Sequence, residues 1–472
     1  MKHKSIGKKG QANKALTSGI WYTASNFLAK SIAFITMPIF TRLLTKAEFG
    51  LYSNYISWLA VIAILVTLNL DSTLISARYD YEDRFDEYIL STLSLSILST
   101  LTWLLIANVF RNEISSFLGL DQIYVNVMLV YLLFLPAINL FQARERYYFE
   151  YKKTVAASLF IVVSTALISV LLVLWLPDRL FGRIIGSVAP TVLLGIVLYA
   201  YFLRKGKKIR TEYWKYALPI CLPFIPHLLS LTLLNSMDRM MITRWCNPED
   251  TAMYSVAYTC GSMATLLMTS MNSAYAPWLG EKLNASQYDD IRKLSKIYIL
   301  GFSLLASGIM AVAPEMLLIL GGRDYLEAQY VMAPIAMGCV CQFLYTMLVN
   351  VEQFKKKTVG MAIASVTAAL MNFILNYIFI PRAGYLAAAY TTLAGYLCLL
   401  GIHMVLVYKL GLNKVYDYKM MMSTVLVMMC ITVLMTLLYS NTLLRYLCLI
   451  IYTAFLIFMV IKNKNRKNIC EG

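Results

Sequence analysis

Residues 154–176 read TVAASLFIVVSTALISVLLVLWL, 23 positions without a charge. A bilayer's hydrocarbon core is about 30 Å thick and an α-helix rises about 1.5 Å per residue, so about 20 apolar residues cross it. Working outward from this run, further apolar runs cover 16–40, 48–70, 88–110, 121–141, 184–203, 216–237, 251–274, 297–320, 328–350, 358–381, 384–408, 420–439 and 443–461. Transmembrane strands would show alternating segments of about ten residues instead. Composition agrees, with 59% hydrophobic residues, 14% charged and a mean hydropathy of +0.64, where soluble chains carry about a quarter charged residues. The expected class is an all-α polytopic membrane protein with fourteen transmembrane helices.

The net charge of +17 would point to nucleic acid on a soluble chain. Its distribution points elsewhere. With the N-terminus placed in the cytoplasm, alternate connections carry 31 Lys and Arg on the cytoplasmic side and 10 on the outer side, with Lys30 inside a span. That is the positive-inside asymmetry. It predicts cytoplasmic N- and C-termini and no nucleic-acid partner. No connection is long enough for a folded domain, the longest being Asp71 to Glu87, and its acidic stretch Asp80–Glu87 is read as a solvated cytoplasmic loop.

A repeat runs through the chain. Thr41-Arg42, nine residues, Tyr52-Ser53 recurs 202 positions later as Thr243-Arg244, nine residues, Tyr254-Ser255. Six spans separate the copies, so both halves have the same orientation, a parallel repeat about an axis along the membrane normal. The expected organisation is an N-terminal lobe of helices 1–6 (1–213), a C-terminal lobe of helices 7–12 (214–411), and an appendage of two helices with a cytoplasmic tail (412–472).

The nine cysteines show no disulfide framework or metal spacing, and His3, His227 and His403 are too scattered for a ligand set. There is no P-loop, nucleophile elbow, HExxH or dinucleotide turn. No enzyme activity, metal or cofactor is expected. What stands out is polar side chains inside apolar runs, which are costly in lipid and face a cavity or partner. Lys30 lies mid-span on a stripe with Thr23, Asn26 and Ala33, and is read as cavity-facing. The seventh span carries Pro219, Pro223 and Pro226, a candidate hinge because each proline removes a backbone donor, followed by His227, Asn235, Asp238 and Arg239. Asp238 and Arg239 sit at its outer end, where an interfacial placement is also open. Arg42 and Arg244, related by the repeat, are candidates for a cationic pair at a cavity mouth. The candidate substrate-binding set is thus Lys30, Asn26, Arg42, Arg244, Asp238, Arg239 and Asn235. The 33 tyrosines suit interfacial belts, or sugar rings where they face a cavity.

Thr41-Arg42-Leu43-Leu44 followed by Phe49-Gly50-Leu51-Tyr52-Ser53, then Asp238-Arg239-Met240-Met241-Ile242, Ala313-Pro314-Glu315 leading into Gly321-Gly322-Arg323-Asp324-Tyr325, and Asn372 through Asn376 to Pro381, Gly384 and Ala387-Ala388-Ala389 resemble the polysaccharide flippases of the multidrug/oligosaccharidyl-lipid/polysaccharide (MOP) exporter superfamily. Ala387 stands where that family usually has glycine. The resemblance covers spans one to twelve. It implies two six-helix lobes around a central cavity, working by alternating access in the bacterial cytoplasmic membrane. It implies a polyprenyl-diphosphate-linked oligosaccharide as cargo, for O-antigen, capsule or exopolysaccharide synthesis, with membrane lipid, a polysaccharide polymerase and glycosyltransferases as partners. Lys30, Arg42 and Arg244 offer the positive charge that a diphosphate needs in a low-dielectric cavity. The alternatives are a flippase for lipid-linked peptidoglycan precursor, a drug/cation antiporter of the same superfamily, and a membrane polysaccharide polymerase. An antiporter would be expected to have an acidic residue where Lys30 stands, and a polymerase a large outer loop.

Overall fold

The computed structural model of the chain describes residues 8–148, 150–356 and 358–454, and among these no strand occurs. The long helices are α1 (Lys8–Leu43), α2 (Lys46–Thr67), α3 (Phe85–Val109), α4 (Gln122–Tyr147), α5 (Tyr151–Trp175), α6 (Arg179–Gly206), α7 (Ile225–Trp245), α8 (Pro248–Gly261), α9 (Ala264–Asn284), α10 (Tyr288–Ala311), α11 (Gln329–Phe354), α12 (Thr358–Lys409) and α13 (Tyr418–Leu438). A shorter apolar helix, α14, covers Thr442–Ala454. Ten helical segments of the described residues are long and apolar enough to cross a membrane.

At 52 residues, α12 would extend about 78 Å if straight, more than twice the hydrocarbon thickness. It is not straight. Gly384 adopts φ 66°, ψ −158°, a conformation open essentially to glycine alone, and it folds the segment into a hairpin. Leu406 in the second limb lies against Gly360 in the first, 3.3 Å from where a Cβ would sit. The two adjoining runs 358–381 and 384–408 are therefore separate limbs.

Two other runs depart from expectation. The run 251–274 is not one helix: α8 ends at Gly261 and α9 starts at Ala264, with the Ser262 hydroxyl turned back to the Thr259 carbonyl at the break. Hydropathy does not register such a break because the flanking residues stay apolar. The run 297–320 stops as a span at Ala311, and Ala313–Leu320 forms a separate short helix. Pro314 lies in its first turn, where a missing N–H costs nothing.

The described residues fall into two compact units, one from the chain up to Ser255 with Ser365–Ala388, the other from Val256–Ala364 and from Ala389 onward. In the first unit, α5 and α6 meet backbone to backbone. A Cβ at Gly182 would lie 2.7 Å from the Leu172 carbonyl oxygen, and one at Gly186 2.4 Å from the Ser169 Cα. This GxxxG spacing lets two helices approach closely where lipid offers no hydrophobic drive for their association.

The Asp71–Glu87 connection is helical for much of its length, with Asp80, Glu82, Asp83 and Arg84 exposed. It folds into short helices at Leu70–Thr73, Leu74–Asp80 and Glu82–Arg84. Asp86, the second residue of α3, accepts from Arg144 at 2.7 Å, and Glu87 lies 3.3 Å from Arg210. Tyr81 packs at 5.6 Å from Tyr88 and 4.9 Å from Tyr213, so part of the tyrosine content is core rather than belt or sugar platform.

In the second unit, Arg445, only 3% exposed, is held by Glu315 through Nη1–Oε2 at 2.5 Å and Nη2–Oε1 at 2.7 Å, and also donates to the Ala311 carbonyl at 3.0 Å. This forked pair ties α14 to the short helix Ala313–Leu320.

Candidate functional site

Residues 41–53 and 243–255 fold alike. In each copy one helix ends, two residues intervene, and the next helix starts with a side-chain cap. Thr45 Oγ1 accepts from the Glu48 amide at 3.2 Å while Glu48 accepts from the Thr45 amide. In the second copy, 202 positions on, Asn247 Oδ1 accepts from the Asp250 amide at 2.7 Å. Polar caps followed three residues later by an acidic residue satisfy the orphan donors of a helix start. These two corners abut in the first unit, because Gly50 leaves no side chain between α2 and the Pro248 carbonyl.

Arg42, the last-turn cation of α1, is exposed and donates to the Pro38 carbonyl at 2.8 Å. Arg244, in the last turn of α7, is exposed and donates to the Ser116 carbonyl at 2.9 Å. Both thus sit at helix C-termini, where the dipole favours a cation. Arg244 also lines a cavity of about 500 Å³ whose walls include Trp58, Phe117, Met237, Met241 and Phe373, and among the described residues it is the one charged group there. A half-open apolar space with one guanidinium at its wall suits a ligand with an aliphatic body and an anionic group.

Asp238 is buried within the first unit. It is 1% exposed, and its carboxylate accepts from the Tyr254 hydroxyl and, at 2.6 Å, from Asn376 Nδ2, with Asn372 alongside. Residues of α7, α8 and α12 thus supply one buried polar cluster, which fits the rule that a buried charge is paired or hydrogen-bonded. Asn235 donates to the Leu231 carbonyl at 2.8 Å, and Arg239 to the Asn235 carbonyl at 3.1 Å, both along their own helix. Pro219 lies in the helix Glu212–Cys221, Pro223 in the 3-10 turn Leu222–Phe224, and Pro226 in the first turn of α7. The prolines therefore bracket a single tightened turn between two helical segments. Lys30 and Asn26 lie on α1, but their side chains are outside the described residues.

Two features escaped the sequence reading. Arg183 counted only as an outer-side charge. In the structure its guanidinium lies 3.6 Å from the Phe40 ring centroid and 4.4 Å from that of Tyr52, a cation–π arrangement, and its Nε and Nη1 are buried without a hydrogen-bond partner. Its place one residue before an apolar run was the available signal. Glu352 and His403, 51 positions apart, form a buried pair at 2.8 Å, and no spacing rule joins them.

Comparison with known proteins supplies the context for this geometry. Residues 15–283 match the family described as "Polysaccharide biosynthesis protein", and residues 223–378 match the MatE family. The chain is similar to the "Lsg locus putative protein 1" of Haemophilus influenzae, 22% identical over 356 residues, covering 71% of this chain and 84% of that one. Among solved structures it is similar to the lipid II flippase MurJ in an inward closed conformation, with a TM-score of 0.69, 13% identity, and coverage of 91% of this chain and all of that one. It is also similar to an inward-facing multidrug resistance MATE family transporter of the MOP superfamily, with a TM-score of 0.61, 14% identity, and coverage of 80% and 94%. With the family match extending over more than half of its length, this multi-helix membrane protein belongs to the family described as "Polysaccharide biosynthesis protein".

Proposed function

We propose that the protein is a flippase that moves polyprenyl-diphosphate-linked oligosaccharide units across the bacterial cytoplasmic membrane, for O-antigen, capsule or exopolysaccharide synthesis. The observation that carries this reading is the apolar cavity of about 500 Å³ with Arg244 as its one charged wall residue among the described residues. A polyprenyl chain fits the apolar part and a diphosphate the guanidinium, and the family match to polysaccharide biosynthesis gives the sugar. Lys30 and the hydrogen-bond-deficient Arg183 are the further cations assigned to the substrate path. Fourteen spans in two six-helix lobes (1–213 and 214–411) with an appendage (412–472), and both termini in the cytoplasm, complete the proposal. In it the abutting corners at Gly50 and Pro248 close the outer end.

A second reading, a flippase for lipid-linked peptidoglycan precursor, is favoured by the likeness in fold to the lipid II flippase. Complementation separates the two. The chain is expected to restore surface polysaccharide to a strain lacking its polysaccharide flippase, and not growth to a strain lacking its peptidoglycan-precursor flippase. The reverse outcome would establish the second reading.

A further inference from the structure

Glu352 and His403 lie 1% and 2% exposed in the second unit, with the imidazole Nδ1 at 2.8 Å from Glu352 Oε1. The other carboxylate oxygen, Oε2, is buried and has no hydrogen-bond partner among the described residues. Glu352 comes from the last turn of α11 and His403 from the second limb of α12, and the imidazole stacks on Tyr345 at 5.7 Å.

A pair kept only to join two helices would be expected to satisfy both oxygens, because a buried unpaired carboxylate oxygen is costly. Among the described residues neither Lys nor Arg forms an ion pair with Glu352. Of the charged groups on neighbouring elements, Lys282 of α9 pairs with Asp290 of α10 at 2.7 Å, Arg292 pairs with Asp289 at 3.2 Å, Asp417 caps α13 by accepting from the Met420 amide, and Lys355 lies over the Phe354 ring, while Lys293 and Lys296 of α10 and Lys419 of α13 form no ion pair with Glu352 among the described residues. The remaining titratable neighbours are phenols. Tyr345 stacks on the imidazole, Tyr418 donates to the Met404 carbonyl next to His403, and Tyr416 donates to the Met347 carbonyl, one turn before Glu352.

We propose that Glu352 and His403 form a proton-binding site, in which one proton taken from water binds at the pair and is returned to water. With neutral imidazole donating Nδ1–H to the carboxylate, the pair carries one negative charge. A proton added at Glu352 Oε2 makes the pair neutral, and no electron moves. Ionisable groups inside membrane helices serve proton relays. The site gives the transporter a means of proton coupling whatever its cargo.

Infrared difference spectroscopy of the full-length protein in lipid vesicles, titrated from about pH 9 to about pH 5, tests this. A protonated carboxyl band is expected to grow on acidification in the wild type and to be missing in Glu352→Gln. In His403→Gln its midpoint is expected to move by about one pH unit or more. Wild-type spectra identical to those of Glu352→Gln, or a midpoint unmoved in His403→Gln, would overturn the proposal. If Glu352→Gln fails to fold, wild type against His403→Gln still decides.

Discussion

Gly50 lies against the carbonyl of Pro248 so closely that a Cβ on Gly50 would fall 1.7 Å from that oxygen. Gly50 belongs to the first copy of the repeated corner and Pro248 borders the second, so the two halves of the sequence meet there with no side chain between them. Alternating access needs such a surface: dry and tight in one state, parted in the other.

Any side chain at position 50 therefore holds the corners apart. Gly50→Val is expected to abolish transport while the protein reaches the membrane at normal abundance. Cys246, partly exposed at the second corner, is expected to react faster with an impermeant maleimide in this variant, with Cys246→Ser as the control. Unchanged labelling together with full transport would remove Gly50 from the closure.

Gly384 offers a purely conformational test. No atom lies within 4 Å of where its Cβ would be, so Gly384→Ala adds only the backbone penalty of a glycine-restricted conformation, about 1–3 kcal/mol. Thermal unfolding in detergent should show that loss. A neutral substitution would mean that the hairpin reorganises freely at this point.

The Arg445–Glu315 fork is expected to be pH-sensitive. The Arg445 guanidinium holds the Glu315 carboxyl below its ordinary value of 4.5. A depressed carboxylate contributes stability that is present above the unfolded-state value and is lost as pH falls through the folded-state value. The stability difference between wild type and Glu315→Gln should therefore be full at neutral pH and shrink on acidification below about pH 4.5. A difference constant across this range would show that the charge of Glu315 is not what docks the helix Thr442–Ala454.

Helical class and most span positions were legible in the sequence because lipid imposes a length and hydropathy that a linear reading detects. Even the tight join at Arg382-Ala383 was readable, and the left-handed Gly384 makes it physical. Breaks inside apolar runs were not legible. Ser262 and Val312 interrupt helices through local hydrogen bonding and a following proline, without any change in hydropathy. Placement of polar groups was legible only in part. Asp238 was visible as an oddity in its span, but its burial depends on Tyr254 and Asn376, which only folding brings near. Arg183 and the Glu352–His403 pair were missed for the same reason, since each draws its meaning from rings or charges on other helices.

The central claim, a cationic path for a lipid-linked diphosphate, is tested most directly by translocation of a polyprenyl-diphosphate-linked oligosaccharide in proteoliposomes, read as its accessibility to an impermeant reagent. Wild type is expected to translocate it, and Lys30→Arg to keep much of that rate. Lys30→Ala should be slower by about tenfold or more, as follows from losing a charge-assisted contact of about 1.5–3 kcal/mol. Equal rates for Lys30→Ala and wild type, or no translocation by the wild-type protein, would contradict the account.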